Sequence, residues 1–168
     1  MKKIALILLF GVLLVITGCG KNLYLPESES DRVFTTLGIE EEIYYGDGYT
    51  ISIPSKSYRY EKDYEDGSLE ETWKNIKKDD AEVKVITYKN TDEISARNKF
   101  LKDNDEYIFE DLMGYSLCGV EPDGDMLWFR LYESNGTVYV ISWEYSKDTS
   151  EELKKELSNI AETFMIAQ

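Results

Sequence analysis

The sequence predicts an α+β domain, an antiparallel β-sheet with helices laid on its faces. Three observations predict it. Segments such as Ala81–Tyr88 and Met126–Tyr145 alternate apolar and polar residues with the period of two that a strand requires. Asn135-Gly136 stands between two β-rich runs, and this dipeptide suits a two-residue hairpin turn because both central positions need φ > 0. Near the C-terminus Leu153, Leu157, Ile160, Ala161 and Phe164 form one stripe at helical spacing, which supplies a helix to cover the sheet.

The chain opens with the basic Met1-Lys2-Lys3 and an apolar run from Ile4 to Ile16, broken only by Gly11. Such a run matches the roughly 7–15 residues of a signal-peptide core and falls short of the ~20 that span a bilayer. Ile16-Thr17-Gly18-Cys19 follows, with small residues directly before a cysteine. This resembles the bacterial lipobox. The resemblance implies a signal peptide over residues 1–18 and a lipid-modified Cys19, carrying acyl chains such as palmitate, as the new N-terminus. An ordinary export signal would end in A-x-A, which is absent. Two or more acyl chains make a lasting anchor.

Residues 19–43 read as the lipidated cysteine and a tether. The stretch from Gly20 to about Arg32 is polar, with Pro26 and two Glu-Ser steps, as a flexible spacer would be. A single domain is expected over residues 44–168. Tyr49–Ile53 alternates and stops at Pro54, the mark of a strand. Tyr58–Tyr64 alternates tyrosines with mostly charged residues and reads as a half-solvated edge. Leu69–Trp73 and Ala81–Tyr88 form a hairpin across a polar connection. Asn90, with Glu93 three positions later, is the expected cap of a helix running through Lys102. Tyr107–Leu112 fits helix or strand, and Tyr115–Val120 is a strand before the acidic turn Glu121–Asp125.

The Asn-Gly turn sets the register of the best hairpin: Tyr132 pairs with Tyr139, Arg130 with Ile141 and Trp128 with Trp143, all on one face. Leu131, Val140 and Phe129 occupy the other. Both faces therefore need cover. The final helix is expected from Asp148-Thr149 to Phe164, capped by Thr149 with Glu152.

This order of elements, from the Tyr-x-Ile-x-Ile-Pro strand to a helix ending near Thr163-Phe164, resembles the PsbP-like/DcrB-like domains of bacterial lipoproteins over about residues 44–168. The resemblance implies a PsbP-like α/β/α sandwich. It carries no shared catalytic motif, so it assigns no active residues.

Composition excludes several functions. The 168 residues hold 19 Lys+Arg, 33 Asp+Glu and no histidine, for a net charge of −14. Loss of Lys2 and Lys3 with the signal peptide lowers this by two. Without histidine there is no Ser-His-Asp or Cys-His catalysis, no H-E-x-x-H zinc site and no histidine pH switch. Acidity speaks against nucleic acid, whose phosphates need clustered Lys and Arg. It also repels anionic headgroups, leaving attachment to the lipid.

Glu121, Asp123 and Asp125 alternate around Pro122 and Gly124, and oxygen ligands at that spacing suit Ca²⁺, although the terminal glutamate of an EF-hand loop is missing. Cys118 sits among Leu117, Gly119 and Val120 and reads as a small buried hydrophobe. The aromatic set Trp128, Arg130, Tyr132, Tyr139, Trp143 and Tyr145 would stack on sugars or grip a protein if exposed. Under a helix it is core, the reading that two apolar sheet faces favour.

The expected function is that of a non-enzymatic lipoprotein. It sits outside the cytoplasm on the bacterial cell membrane, or on the outer membrane where a cell has two. There it binds or supports another envelope component, protein or glycan, without a cofactor. The alternative is a metal- or small-ligand-binding lipoprotein that uses the acidic turns. A carboxylate-based hydrolase comes third.

Overall fold

Two antiparallel meanders make the main sheet. The computed structural model describes residues 33–36, 39–65, 67–110 and 116–167. The expected signal peptide, Cys19 and the segment up to Arg32 lie outside the described residues. The first meander is β4 (Tyr58–Glu65), β5 (Ser68–Asn75) and β6 (Lys78–Lys89). The second is β7 (Ile108–Glu110), β8 (Ser116–Val120), β9 (Met126–Ser134) and β10 (Thr137–Tyr145). They join where β10 returns beside β6, giving the order β4-β5-β6-β10-β9-β8-β7.

The β9–β10 hairpin has the expected register, with Tyr132 opposite Tyr139, Arg130 opposite Ile141 and Trp128 opposite Trp143. Its turn places Asn135 at φ 52° and Gly136 at φ 73°, the left-handed conformation that this dipeptide tolerates. The ambiguous segment after Tyr107 resolves as the short edge strand Ile108–Glu110, paired with β8.

A second sheet departs from expectation. Strands β1 (Val33–Thr36), β2 (Ile39–Gly46), β3 (Tyr49–Ile53) and β11 (Met165–Ile166) pair in the order β1-β2-β3-β11. The opening strand Tyr49–Ile53 therefore lies in this small sheet, and strand pairing begins ahead of residue 44. Charge hides β2 from a hydropathy reading, because Glu40, Glu41 and Glu42 precede Ile43.

Helix α1 (Glu93–Asp103) lies on one face of the main sheet, burying Ala96 and Phe100 against Phe129 and Val140. Helix α2 (Glu151–Glu162) and the small sheet cover the other, where Leu157, Ile160 and Ala161 meet Ile51, Val83, Ile141 and Trp143. Both helices start one or two residues later than expected. Asp92 caps α1 through Ser95 N at 2.9 Å, because Asn90 is already committed to a φ of 56° at the end of β6. Ser150 caps α2 through Leu153 N at 3.3 Å, whereas Thr149 is turned inward against Ser146.

Candidate functional site

The two faces of the main sheet follow from the parity of its strands. On β5, Leu69, Glu71 and Trp73 point to the side covered by α2 and the small sheet, while Ser68, Glu70 and Thr72 point to the side of α1. On β6 and β10 the same alternation sends Glu82, Lys84, Ser142 and Glu144 towards α1. Helix α1 packs on β9 and β10, so the charged residues of β4, β5 and β6 remain open.

A groove of about 320 Å³ runs along the edge of α1. Its floor is apolar and buried: Ile86, Tyr88, Phe100 and Leu127. Its walls carry Glu65, Glu70, Glu82, Asp103 and Glu144 against Lys84 and Lys99. Lys84 Nζ reaches Glu82 at 3.5 Å and Glu70 at 3.8 Å, and Lys74 Nζ reaches Glu61 at 3.1 Å. Glu82 and Glu144 are direct cross-strand partners. Burial pushes the Glu144 carboxyl above its ordinary value; hydrogen bonding to Tyr107 and the charge of Lys84 oppose this, and the charges of Glu82 and Glu121 add to it.

The opposite face holds a carboxylate in a contrasting setting. Glu71 is only 1% exposed, yet it lies among aromatic rings. Tyr44 and Tyr60 both donate to its Oε1, the latter at 2.8 Å, and Tyr49 donates to Oε2 at 2.6 Å. Lys62 Nζ stands 3.4 Å away. Burial alone would raise this carboxyl, but the three phenols and then Lys62 outweigh it and hold Glu71 below the usual value. Tyr44 and Tyr49 are pushed up, by burial first and then by Glu71 itself. Because Tyr44 and Tyr49 come from the small sheet and Tyr60 from β4, the cluster fastens the two sheets together.

The aromatic hairpin face is part of the core. Trp143, Tyr139 and Tyr145 are buried, and Trp128, Arg130 and Tyr132 half-buried. Trp128 and Trp143 stack with centroids 6.1 Å apart, Arg130 lies 5.3 Å over Trp143, and Tyr132 packs on Phe164. Trp128 Nε1 donates to the Tyr145 hydroxyl at 3.0 Å. What reaches the surface is a shallow rim beside Lys154 and Ser158 of α2.

In the acidic turn, Lys147 Nζ donates to the Asp123 carbonyl at 2.6 Å and Lys147 N to Asp125 Oδ1 at 3.2 Å. Among the described residues no three acidic or thiol side chains gather as a metal-holding group, so Glu121, Asp123 and Asp125 are not brought together as ligands. Cys118 is buried on β8, and burial, then Glu110, pushes its thiol up, as expected of a packing residue.

Neither the groove nor Glu71 was singled out from sequence. Strand parity held the signal for Glu71, since a glutamate between Leu69 and Trp73 has to face inward. The groove depends on β6 meeting β10, which are about fifty residues apart, and no local pattern encodes that contact.

No protein-family model and no curated protein sequence matches the chain. Solved structures do. The solution structure of cyanobacterial PsbP (CyanoP) from Synechocystis sp. PCC 6803 is similar with a TM-score of 0.50 and 15% identity, covering 73% of this chain and 90% of that one. A crystal structure from Bacteroides thetaiotaomicron matches with a TM-score of 0.41 and 15% identity, covering 72% of this chain and 46% of the other. The first likeness concerns the fold alone: two helices on mostly antiparallel sheets, the PsbP-like architecture.

Proposed function

We propose that this protein is a non-catalytic binding or accessory module of the bacterial envelope, held outside the cytoplasm by lipid on Cys19, and that it docks a basic protein partner on the open half of its main sheet. The observation that carries this reading is the unequal cover of that sheet. One face is closed by α2 and the small sheet, while α1 leaves the β4–β5–β6 side of the other open. That open side carries Glu61, Asp63, Glu70 and Glu82 beside Lys74 and Lys84. Charged rims of this kind steer and orient a partner more than they add affinity. A glycan partner finds less support, because the rings that would stack on sugars are used in the core.

A carboxylate-based hydrolase also has one observation in its favour, the opposed Glu82 and Glu144 in a groove. Against it, Glu82 is engaged by Lys84 and by Lys74 at 3.9 Å, which commits it to ion pairs.

A photo-crosslinking residue placed at Lys74 tests the module in intact cells. A discrete adduct in the membrane fraction is expected, and the same probe at Lys155 on α2 should yield none. Cys19→Ala should release the protein from that fraction and reduce the adduct. Absence of any adduct at Lys74 overturns the docking reading, and continued membrane retention of Cys19→Ala overturns the anchor.

A further inference from the structure

Strand β4 ends the seven-stranded sheet, and β5 is its one strand neighbour among the described residues. Its register with β5 runs unbroken from Tyr58 to Glu65. Ile76 N donates to Ser57 O at 3.0 Å, so the odd-numbered positions bond inward, and Tyr58, Tyr60 and Lys62 turn their backbone groups to the outer edge. Past Lys62 the chain closes this edge itself, because Tyr64 N donates to Asp63 Oδ1 at 2.7 Å. A strand edge is a template for another strand, and its charges decide which strand it accepts. Arg59 stands directly opposite Lys74 across β4 and β5. Both reach one carboxylate, Glu61, at 3.0 and 3.1 Å, so Glu61 is divided between two cations. Lys74 turns also to Glu82 at 3.9 Å. The Arg59 and Glu61 side chains are 56% and 45% exposed, open to a group from outside.

We propose that β4 pairs antiparallel with β4 of a second copy of this chain, in the register that sets Tyr60 opposite Tyr60. A two-fold axis normal to the sheet keeps each face continuous, so every residue meets one of its own parity. Charge then selects the register. Centring the pair on any charged residue of β4 opposes that residue to its own copy, which destabilises a sheet. Centring it on Tyr64 opposes Asp63 to Glu65, and centring it on Tyr58 leaves most of the strand unjoined. Centring it on Tyr60 opposes no like charges. Arg59 of each copy then faces Glu61 of the other and gains a carboxylate that it does not share with Lys74. On the other face Tyr60 meets Tyr60 at the axis and Tyr58 lies opposite Lys62, pairings of the kind that support a sheet. The joined stretch, Tyr58 to Lys62, stops where Asp63 closes the edge. This pairing goes beyond the docking reading and does not depend on it. It fuses two seven-stranded sheets and makes one surface of their open faces.

Two differently tagged full-length copies, one Arg59→Cys and the other Glu61→Cys, co-expressed and oxidised in isolated membranes, test the register. Directly opposed positions of this kind lie about 4.5 Å apart at Cα, within disulfide reach. Two copies of one such position lie diagonally about 7–8 Å apart, at or past its limit. A mixed disulfide dimer is therefore expected, with each variant alone giving several-fold less. The buried Cys118 stays out of the reaction. In the chain without added cysteines, Arg59→Glu should abolish co-capture of the two tagged copies from detergent. Arg59→Glu combined with Glu61→Arg should restore it, a rescue that an unfolded strand would not show. A dominant crosslink between Arg59→Cys and Asp63→Cys moves the axis to Glu61 and overturns the register. Absence of the mixed disulfide, or failure of the double exchange to restore capture, overturns the pairing. If the disulfide forms while the probe at Lys74 yields no adduct, the β4 pairing stands and docking falls. The reverse result leaves docking standing and removes the pairing.

Discussion

Glu71 and Glu144 are both glutamates on the seven-stranded sheet, and they occupy opposite faces in opposite states. Glu71 is the more deeply buried and yet the more acidic, because three tyrosine hydroxyls and Lys62 converge on it. Glu144 is less buried and yet less acidic, because burial combines with the opposed Glu82 and only Tyr107 and Lys84 offset it. Depth therefore does not decide whether a carboxylate belongs to the fold or to a site; the count of its donors does. A carboxylate whose donors are all internal holds the structure together. One short of donors faces the groove, where an outside group can supply them.

The largest effect is expected at Glu71. Glu71→Ala leaves three phenol hydroxyls between the sheets without their acceptor and should cost roughly 3 kcal/mol in urea denaturation, since hydrogen bonds to a charged group contribute about 1.5–3 kcal/mol and buried donors left unmade cost about as much. A loss under about 0.5 kcal/mol would mean that the tyrosines find other partners and that the cluster does not fasten the sheets. The sign of the pH dependence is fixed by the lowered carboxyl. Its contribution is fully present above the ordinary value of 4.5 and is lost as pH falls through the lower folded value. Glu71→Gln should flatten that acid limb of the stability profile.

Much of the closed face was legible in the sequence, and much less of the open one. The Asn135-Gly136 turn fixed the pairing of Trp128 with Trp143, and the α2 stripe showed what covers it, because both signals lie within about thirty residues. The small sheet was missed. Its β2 strand begins with a run of glutamates, and its β11 strand has only two residues, held by pairing with β3 across more than a hundred positions. The groove was missed for the same reason. Glu82 and Glu144 look like two of many acidic residues until the β6–β10 pairing sets them opposite each other. The helix caps failed more narrowly: Thr149 and Asn90 are capping types, but burial and a left-handed backbone had already claimed them.

A smaller effect of opposite sign is expected at Glu144. Its folded carboxyl is raised, so stability is greater below the ordinary value of 4.5 and falls as pH rises through the folded value. Glu144→Gln removes that loss and the repulsion from Glu82. At neutral pH it should be stabilising by about 0.5 kcal/mol, within the range of a directly opposed like-charge pair. Chemical denaturation at neutral and acidic pH reads both parts. A variant destabilised at neutral pH would show that Lys84 and Tyr107 already satisfy Glu144, and the contrast with Glu71 would close.

Two hydroxyls carry the same contrast at smaller scale. Thr87 on β6 is 1% exposed on the closed face, and its Oγ1 has no hydrogen-bond partner among the described residues. Ser142 on β10 is nearly as buried but borders the groove. Solvent scarcely reaches the Thr87 hydroxyl, so its unmade hydrogen bond is a standing cost to stability. Thr87→Val keeps the branched shape and removes the hydroxyl, and it should raise stability by about 1 kcal/mol as a shift of the urea midpoint at unchanged slope. Ser142→Ala should move the midpoint less, because its hydroxyl borders an open groove where water satisfies it. Equal stabilisation by both would make Ser142 another unmade hydrogen bond of the core and erase the distinction between the faces.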